Sequence, residues 1–199
     1  NILYVWRLSR EKNIDLALRV FKKISSVFHD LNFLIIWDGP AKQETSELIK
    51  KLWLTKKVKM LWKIPHEDLI RSDIFQNCKF FLTCSTSETF GITLIEANYF
   101  GLPVLWINQW WVWEVVIDWY NWLKSNSLKV SEISKLWIKL MKDESLRNQL
   151  WKNAKEFAKR FDRKKLTKEL ELYYEDIIEK HRIKSLENIS KKNLELINK

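Results

Sequence analysis

Short, wholly apolar runs alternate along this chain with longer amphipathic ones. That is the pattern of strands buried on both faces and joined by helices. Strands are predicted over residues 1–5, 31–36, 57–61, 80–83 and 103–107, with Leu123 in an edge segment. Helices are predicted over 13–27, 41–52, 67–75, 93–100, 112–117, 130–141, 144–157 and 165–179. The first of these carries Ile14, Leu16, Leu18, Phe21 and Ile24 at helical recurrence. Gly101 stands where a helix C-terminus wants positive φ, and Pro103 sits at the first strand position, which tolerates it. Five or six strands alternating with helices make an open, doubly wound, mostly parallel α/β sheet with helices on both faces. Such a sheet binds its ligands beyond the C-terminal ends of its strands. Residues 1–160 form this domain, 161–180 a C-terminal helix, and 181–199 a basic tail of weaker periodicity, expected to be frayed or disordered.

Composition changes that picture at one point. The chain has 199 residues, with 3 glycines and 12 tryptophans. Ordinary usage is about 7% glycine, roughly 14 in a chain of this length. Several tryptophans stand where turns and strand-to-helix corners call for positive φ, which tryptophan adopts poorly. Trp37-Asp38-Gly39-Pro40 follows a strand, Trp110-Trp111 lies in a polar loop, and Trp119-Tyr120-Asn121-Trp122 reads as a turn. The expectation is that most of these tryptophans stand for glycine in the working protein. A stop codon reassigned to glycine and translated as tryptophan would produce this pattern.

The formal net charge of +10 permits phosphate-rich partners without choosing among nucleotides, nucleic acid and anionic lipid. No long basic block marks a nucleic-acid footprint, and residues 161–199 contribute only +2. Cys78 and Cys84 are too few for a disulfide framework and read as buried thiols of a reducing compartment. His29, His66 and His181 show no ligand spacing, so no metal site is expected. No apolar run has the length of a membrane span, and no signal peptide is present, although the chain opens in mid-strand.

Candidate chemistry gathers in three loops at strand ends. Arg7 and Lys12 follow the first strand, where a guanidinium fork and a mobile ammonium could converge on a diphosphate. Ser85-Thr86-Ser87-Glu88-Thr89-Phe90-Gly91 follows the strand at 80–83 and opens a helix, which would aim backbone N–H groups at a phosphate. Glu88 lies in that loop and Glu96 inside the helix. Carboxylates so near a phosphate seat are best aimed at sugar hydroxyls. The third loop, Asn108-Gln109-Trp110-Trp111-Val112-Trp113-Glu114, becomes a flexible cradle if glycine stands at 110 and 111. Asp38 is a further turn residue beside Gly39 and Pro40.

Read with glycine at the suspect positions, these segments resemble the C-terminal domain of retaining GT-B glycosyltransferases of the family 4 type (glycosyl transferases group 1), a Rossmann-like half of the GT-B fold. The matching residues are Trp6-Arg7-Leu8 with Glu11-Lys12, Trp37-Asp38-Gly39-Pro40, Leu61-Trp62 and Ser87-Glu88 through Phe90-Gly91. Leu94-Ile95-Glu96-Ala97, Gly101-Leu102-Pro103-Val104, Trp110-Trp111 with Glu114, and Asp118-Trp119 with Asn121-Trp122 continue the likeness over residues 1–180. The spacing of Glu88 and Glu96 corresponds to that family's paired-glutamate motif. The resemblance implies a nucleotide-diphosphate-sugar donor as substrate, with no cofactor and no metal. It implies that Arg7 and Lys12 neutralise the diphosphate, Glu88 holds sugar hydroxyls and Glu96 the ribose. Backbone around Phe90, Gly91, Ile92, Thr93 and Leu94 would touch phosphates or sugar, with Lys63 and Ile64 beside the base. The acceptor, a glycan, lipid or small molecule, would be held by an N-terminal domain that this chain lacks, so the fragment is expected to be inactive alone. A cytoplasmic location follows, with peripheral membrane contact compatible with the charge and no nucleic-acid partner. Two other readings stay open from the residues alone: a nucleic-acid or anionic-surface module, and a non-catalytic degenerate transferase domain.

Overall fold

The computed structural model of the chain describes residues 1–197 apart from 37, 62, 89, 108–114 and 116, with side chains described through 186 and at 188. The helix expected over 112–117 and the loop at 108–114 fall largely or wholly outside the described residues. Contacts divide the chain into two units, Asn1–Lys159 and Arg160–Lys199.

The first unit is built on six strands: β1 (Ile2–Val5), β2 (Phe33–Ile36), β3 (Val58–Leu61), β4 (Phe80–Leu82), β5 (Val104–Ile107) and β6 (Trp122–Ser125). Their spatial order is β3-β2-β1-β4-β5-β6, and every pairing is parallel. Ile2 lies between Phe33 on one side and Phe80 on the other. β1, β4 and β5 are wholly buried, which explains why they read as unbroken apolar runs. The predicted edge segment around Leu123 is the edge strand β6.

The helices between them are α1 (Ile14–Ser25), α2 (Lys42–Lys51), α3 (His66–Arg71), α4 (Ile92–Tyr99), α5 (Val130–Lys142) and α6 (Glu144–Ala158). From β1 the chain steps outward through α1 to β2, and from β4 it steps the opposite way through α4 to β5. Right-handed crossovers therefore place α1 and α4 on opposite faces of the sheet. α1 packs against α2 and α5, and α4 against α6. Ile14, Ala17, Leu18, Phe21 and Ile24 form the buried stripe of α1. Phe21 packs on Phe33 with ring centroids 5.0 Å apart. Truncating such a ring to alanine costs about 3–5 kcal/mol.

Two helices end in the same motif with different residues. At the end of α4, Gly101 has φ +73; its N–H donates to Asn98 O, and the Leu102 N–H reaches back to Ala97 O. At the end of α2, Trp53 has φ +59; its N–H donates to Lys50 O, and the Leu54 N–H reaches Ile49 O. Both are Schellman caps, whose left-handed residue is normally glycine. Trp119 is also left-handed, at φ +61, in a turn closed by the Tyr120 N–H on Ile117 O.

The Trp53 indole is 88% exposed, so little burial offsets the left-handed backbone. That backbone costs about 1–2 kcal/mol, partly returned because glycine is freer when unfolded, by about 0.5–1 kcal/mol. Trp53→Gly is therefore expected to raise Tm by about 1–4 °C in a thermal melt. Gly101→Ala should lower it, since a Cβ there would lie 2.4 Å from Trp151 Nε1 at a φ that alanine resists. An unchanged Tm for Trp53→Gly would show that tryptophan is accommodated at that cap.

The second unit is dominated by α7 (Arg163–Ile197). The weakening periodicity at 180 does not end it. The segment has neither glycine nor proline and is rich in Lys, Glu and Leu, all good helix formers.

Candidate functional site

Strand order decides where a ligand can sit. β1 and β4 are neighbours, yet their following connections leave in opposite directions, which opens a crevice beyond their C-terminal ends. The loops after these two strands carry Arg7 and Lys12 on one side and Glu88 on the other.

The two loops are tied together by hydrogen bonds. Asn13, left-handed at φ +47, caps the turn before α1 and donates through Nδ2 to Cys84 O (3.2 Å) and Thr86 Oγ1 (3.1 Å). The Thr86 N–H donates to Glu11 O at 3.2 Å. Gly39 lets the loop after β2 close against the same wall. A Cβ there would lie 2.3 Å from Leu8 O, while Leu8 exchanges backbone bonds with Asp38 and Ala41.

Within the crevice, Lys12 Nζ lies 3.0 Å from Glu88 Oε2, both side chains only 14% exposed, and also donates to Ser87 O. The same carboxylate oxygen accepts from Trp6 Nε1 at 2.8 Å. The Trp6 indole is buried, edge-on to Phe81 (5.3 Å between centroids) and tilted on Tyr4 (6.1 Å). Glu88 is thus held by a cation and by an indole N–H, the second a donor of the kind that a ligand hydroxyl would supply.

Arg7 is exposed at the rim, and with Lys12 it helps hold the Glu11 carboxyl below its ordinary range. The larger cause there is the Ser9 hydroxyl, which donates to Glu11 Oε1 at 2.5 Å.

α4 rises from the same loop. Gly91, at φ +77, is its N-cap, and the ring of Phe90 is half exposed. Ile92 is exposed and Thr93 half-buried, and the N–H groups of both lie in the first turn, where no intrahelical acceptor exists. Leu94 differs. Its side chain is in the core and its N–H donates to Gly91 O, so neither faces a ligand. Glu96, 14% exposed, receives His66 Nε2 on Oε1 at 2.5 Å. Lys63 is exposed and Ile64 half-buried, in the loop that leads to His66.

Sequence reasoning missed three contributors. Asn13 could have been found as a helix N-cap, but its side chain makes no cap bond and instead donates to the loop after β4, which no local pattern shows. His66 could not, since nothing in the chain connects it to a glutamate thirty positions on. The Trp6–Glu88 bond is likewise invisible without a fold.

The remaining ionisable groups in the core are ill-suited to chemistry. Burial pushes the Cys78 thiol up to about 11, and that of Cys84 further up, so neither is a ready nucleophile. Burial also raises the Tyr4 hydroxyl. Among the described residues, no group of three or more His, Cys, Asp or Glu could hold a metal ion. No helix among them is long and apolar enough to cross a membrane.

Comparison with known proteins agrees with this architecture. An uncharacterized glycosyltransferase of Methanocaldococcus jannaschii, MJ1178, is 26% identical over 175 residues, covering 88% of this chain and 48% of that protein. The GPI3 subunit of phosphatidylinositol N-acetylglucosaminyltransferase from Saccharomyces cerevisiae is 32% identical over 104 residues, 52% of this chain and 23% of its own length. The chain therefore spans about half or less of these curated relatives.

Among solved structures, Anabaena HepE in complex with UDP superposes with a TM-score of 0.76 at 19% identity, covering 88% of this chain and 48% of that one. The pneumococcal O-GlcNAc transferase GtfA, in complex with UDP and GlcNAc, gives 0.73 at 21%, covering 89% and 35%. At such identity the likeness carries the fold: an open parallel half-domain of GT-B type. Residues 1–157 match the family described as glycosyl transferases group 1. On that match, over most of its length, this chain belongs to the glycosyl transferases group 1 family.

Proposed function

We propose that this chain is the donor-binding half of a retaining glycosyltransferase of the family 4 type, taking a sugar from a nucleoside-diphosphate-sugar. The observation that carries this reading is the convergence of Lys12 and Glu88 at the β1/β4 crevice, with Arg7 at its rim. Charge that builds on a departing diphosphate is stabilised by fixed cations, and such groups act on the transition state more than on the ground state. Lys12 and Arg7 supply that charge. Glu88 accepts sugar hydroxyls, Glu96 the ribose hydroxyls, and the N–H groups of Ile92 and Thr93 the phosphates. Lys63 and Ile64 lie toward the base. No protein nucleophile is assigned, since Glu88 is committed to hydroxyl binding. UDP is the nucleotide in the complexes of the structurally similar HepE and GtfA, which makes it the first probe. The acceptor, whether glycan, lipid or small molecule, belongs to an N-terminal half, toward which α7 would return. Alone, the chain is expected to bind donor weakly and to transfer nothing.

The same reading has glycine natively at most of the tryptophan positions. Left-handed φ at Trp53 and Trp119 supports it, as does the identity of the Trp53 cap with the Gly101 cap. Trp106 and Trp137 support it too: each buries an indole N–H with no partner among the described residues, a loss of about 1–3 kcal/mol apiece. Positions 37, 110 and 111 lie outside the described residues. Peptide mass spectrometry of protein from its natural host should find glycine at 6, 53 and 119; tryptophan there would end this part of the reading.

Calorimetric titration tests the site itself. Chain with glycine at 6, 37, 110 and 111 should bind UDP and a UDP-sugar, and bind unrelated oligonucleotides no better. Absence of nucleotide binding in that protein would refute the donor-half assignment. Appreciable sugar transfer by the isolated chain would refute its dependence on a second half.

A further inference from the structure

We infer that His66 is a positioning residue for nucleoside recognition, fixing the Glu96 carboxylate so that it can accept a pair of vicinal ribose hydroxyls. The inference rests on the proposed donor site and adds to it a residue that no motif marks.

Three observations carry it. First, the contact is short and directional, with His66 Nε2 2.5 Å from Glu96 Oε1. Second, it joins two elements distant in sequence, the start of α3 and the second half of α4. Pro65, at φ −51, restricts the backbone immediately before His66, and Pro65 O accepts the Leu69 N–H, so the backbone that carries the 59% exposed ring is held in place. Third, the bond engages Oε1, and no second hydrogen bond to the Glu96 carboxylate occurs among the described residues. The lone pairs that remain, chiefly those of Oε2, are those a ribose would use. A free glutamate on a helix samples several rotamers, and ordering it costs a ligand affinity. A histidine donor that has already selected one rotamer removes that cost. It also sets the angle at which two hydroxyls can bind together.

The test compares UDP with 2′,3′-dideoxyuridine diphosphate by titration of the full chain and, in parallel, of its variant with glycine at 6, 37, 110 and 111. A carboxylate accepting hydroxyls is worth roughly tenfold or more in affinity, so UDP should bind about that much tighter than its dideoxy analogue. His66→Ala should reduce this ratio to about two- or threefold while leaving dideoxy affinity unchanged. His66→Gln, whose amide N–H can replace the ring donor, should restore it. Glu96→Gln should lower the ratio directly. A ratio unchanged in His66→Ala, a parallel loss of both affinities, or no recovery with His66→Gln overturns the inference. Equal binding of UDP and its analogue by the unmodified chain also overturns it and leaves the phosphate site standing. Binding of neither nucleotide by either protein refutes the donor site, and the inference with it.

Discussion

Replacing Trp6 with glycine is expected to do two opposite things: lower thermal stability and raise affinity for a nucleoside diphosphate by about tenfold or more. The stability loss follows from packing. A buried indole set between Tyr4 and Phe81 contributes about 3–5 kcal/mol on truncation. In a domain of this size that corresponds to a fall of roughly 10 °C.

The affinity gain follows from the bond to Glu88. A ligand hydroxyl bound by Glu88 must displace Trp6 Nε1, and a hydrogen bond to a charged group is worth about 1.5–3 kcal/mol. Each 1.4 kcal/mol is a factor of about ten. Glycine also lets the backbone at position 6 approach a phosphate, which no side chain permits. Calorimetry with UDP and a melting curve, each on both proteins, checks the pair of effects. Equal UDP affinities would mean that the pocket lies elsewhere. A destabilised variant that melts substantially higher with UDP would be the expected signature, because a ligand that binds only the folded state stabilises it by mass action.

Lys12→Ala and Glu88→Gln should separate in sign. Removing Lys12 takes away a charge-assisted donor from the diphosphate, which should weaken UDP binding about ten- to a hundredfold. It also leaves the Glu88 carboxylate, mostly shielded from water, without its cation, so some stability is lost as well. The loss should fall short of the figure for a fully buried pair, since both groups retain some solvent contact.

Glu88→Gln removes a negative charge beside the phosphate seat and releases Lys12. UDP affinity should then hold or rise a few-fold, while the preference for UDP-sugar over UDP disappears. If the proposed acceptor half is joined to this chain and sugar transfer is measured, loss of Lys12 should lower kcat by about a hundredfold or more, as expected for a group aimed at transition-state charge. The two changes share one contact, so the double variant should deviate from additivity. Strict additivity in UDP binding would show that Lys12 and Glu88 act on different ligands.

Much of the fold is legible in the chain because parallel strands covered on both faces leave a periodic record. The runs at 2–5, 33–36, 58–61 and 104–107 lie within the strands expected from their apolar continuity. Helix ends were legible wherever an end-residue signals itself, as Gly101 does. Parts of the candidate site were legible too, because its loops follow strand ends, and loops at strand ends of such sheets carry the ligand chemistry. What was less legible is contact between side chains distant in sequence. Lys12 meets Glu88 across the β1/β4 junction, and His66 meets Glu96 across α3 and α4. Leu94 shows the limit at shorter range: a helix start exposes some N–H groups, but which side chain turns inward depends on the sheet beneath it.

By itself, then, the sequence determined the class of fold, the positions of its strands and of most of its helices, and the excess of tryptophan at turns that want glycine. These are properties of local periodicity, backbone preference and composition, each written within a few neighbouring residues. Only the tertiary structure decided the strand order, and with it the crevice between β1 and β4. Strand order depends on which apolar faces bury one another across tens of residues, and no local pattern encodes that choice. The same order brought the Trp6 indole onto Glu88, so that one side chain packs the core and also occupies the carboxylate of the proposed donor site.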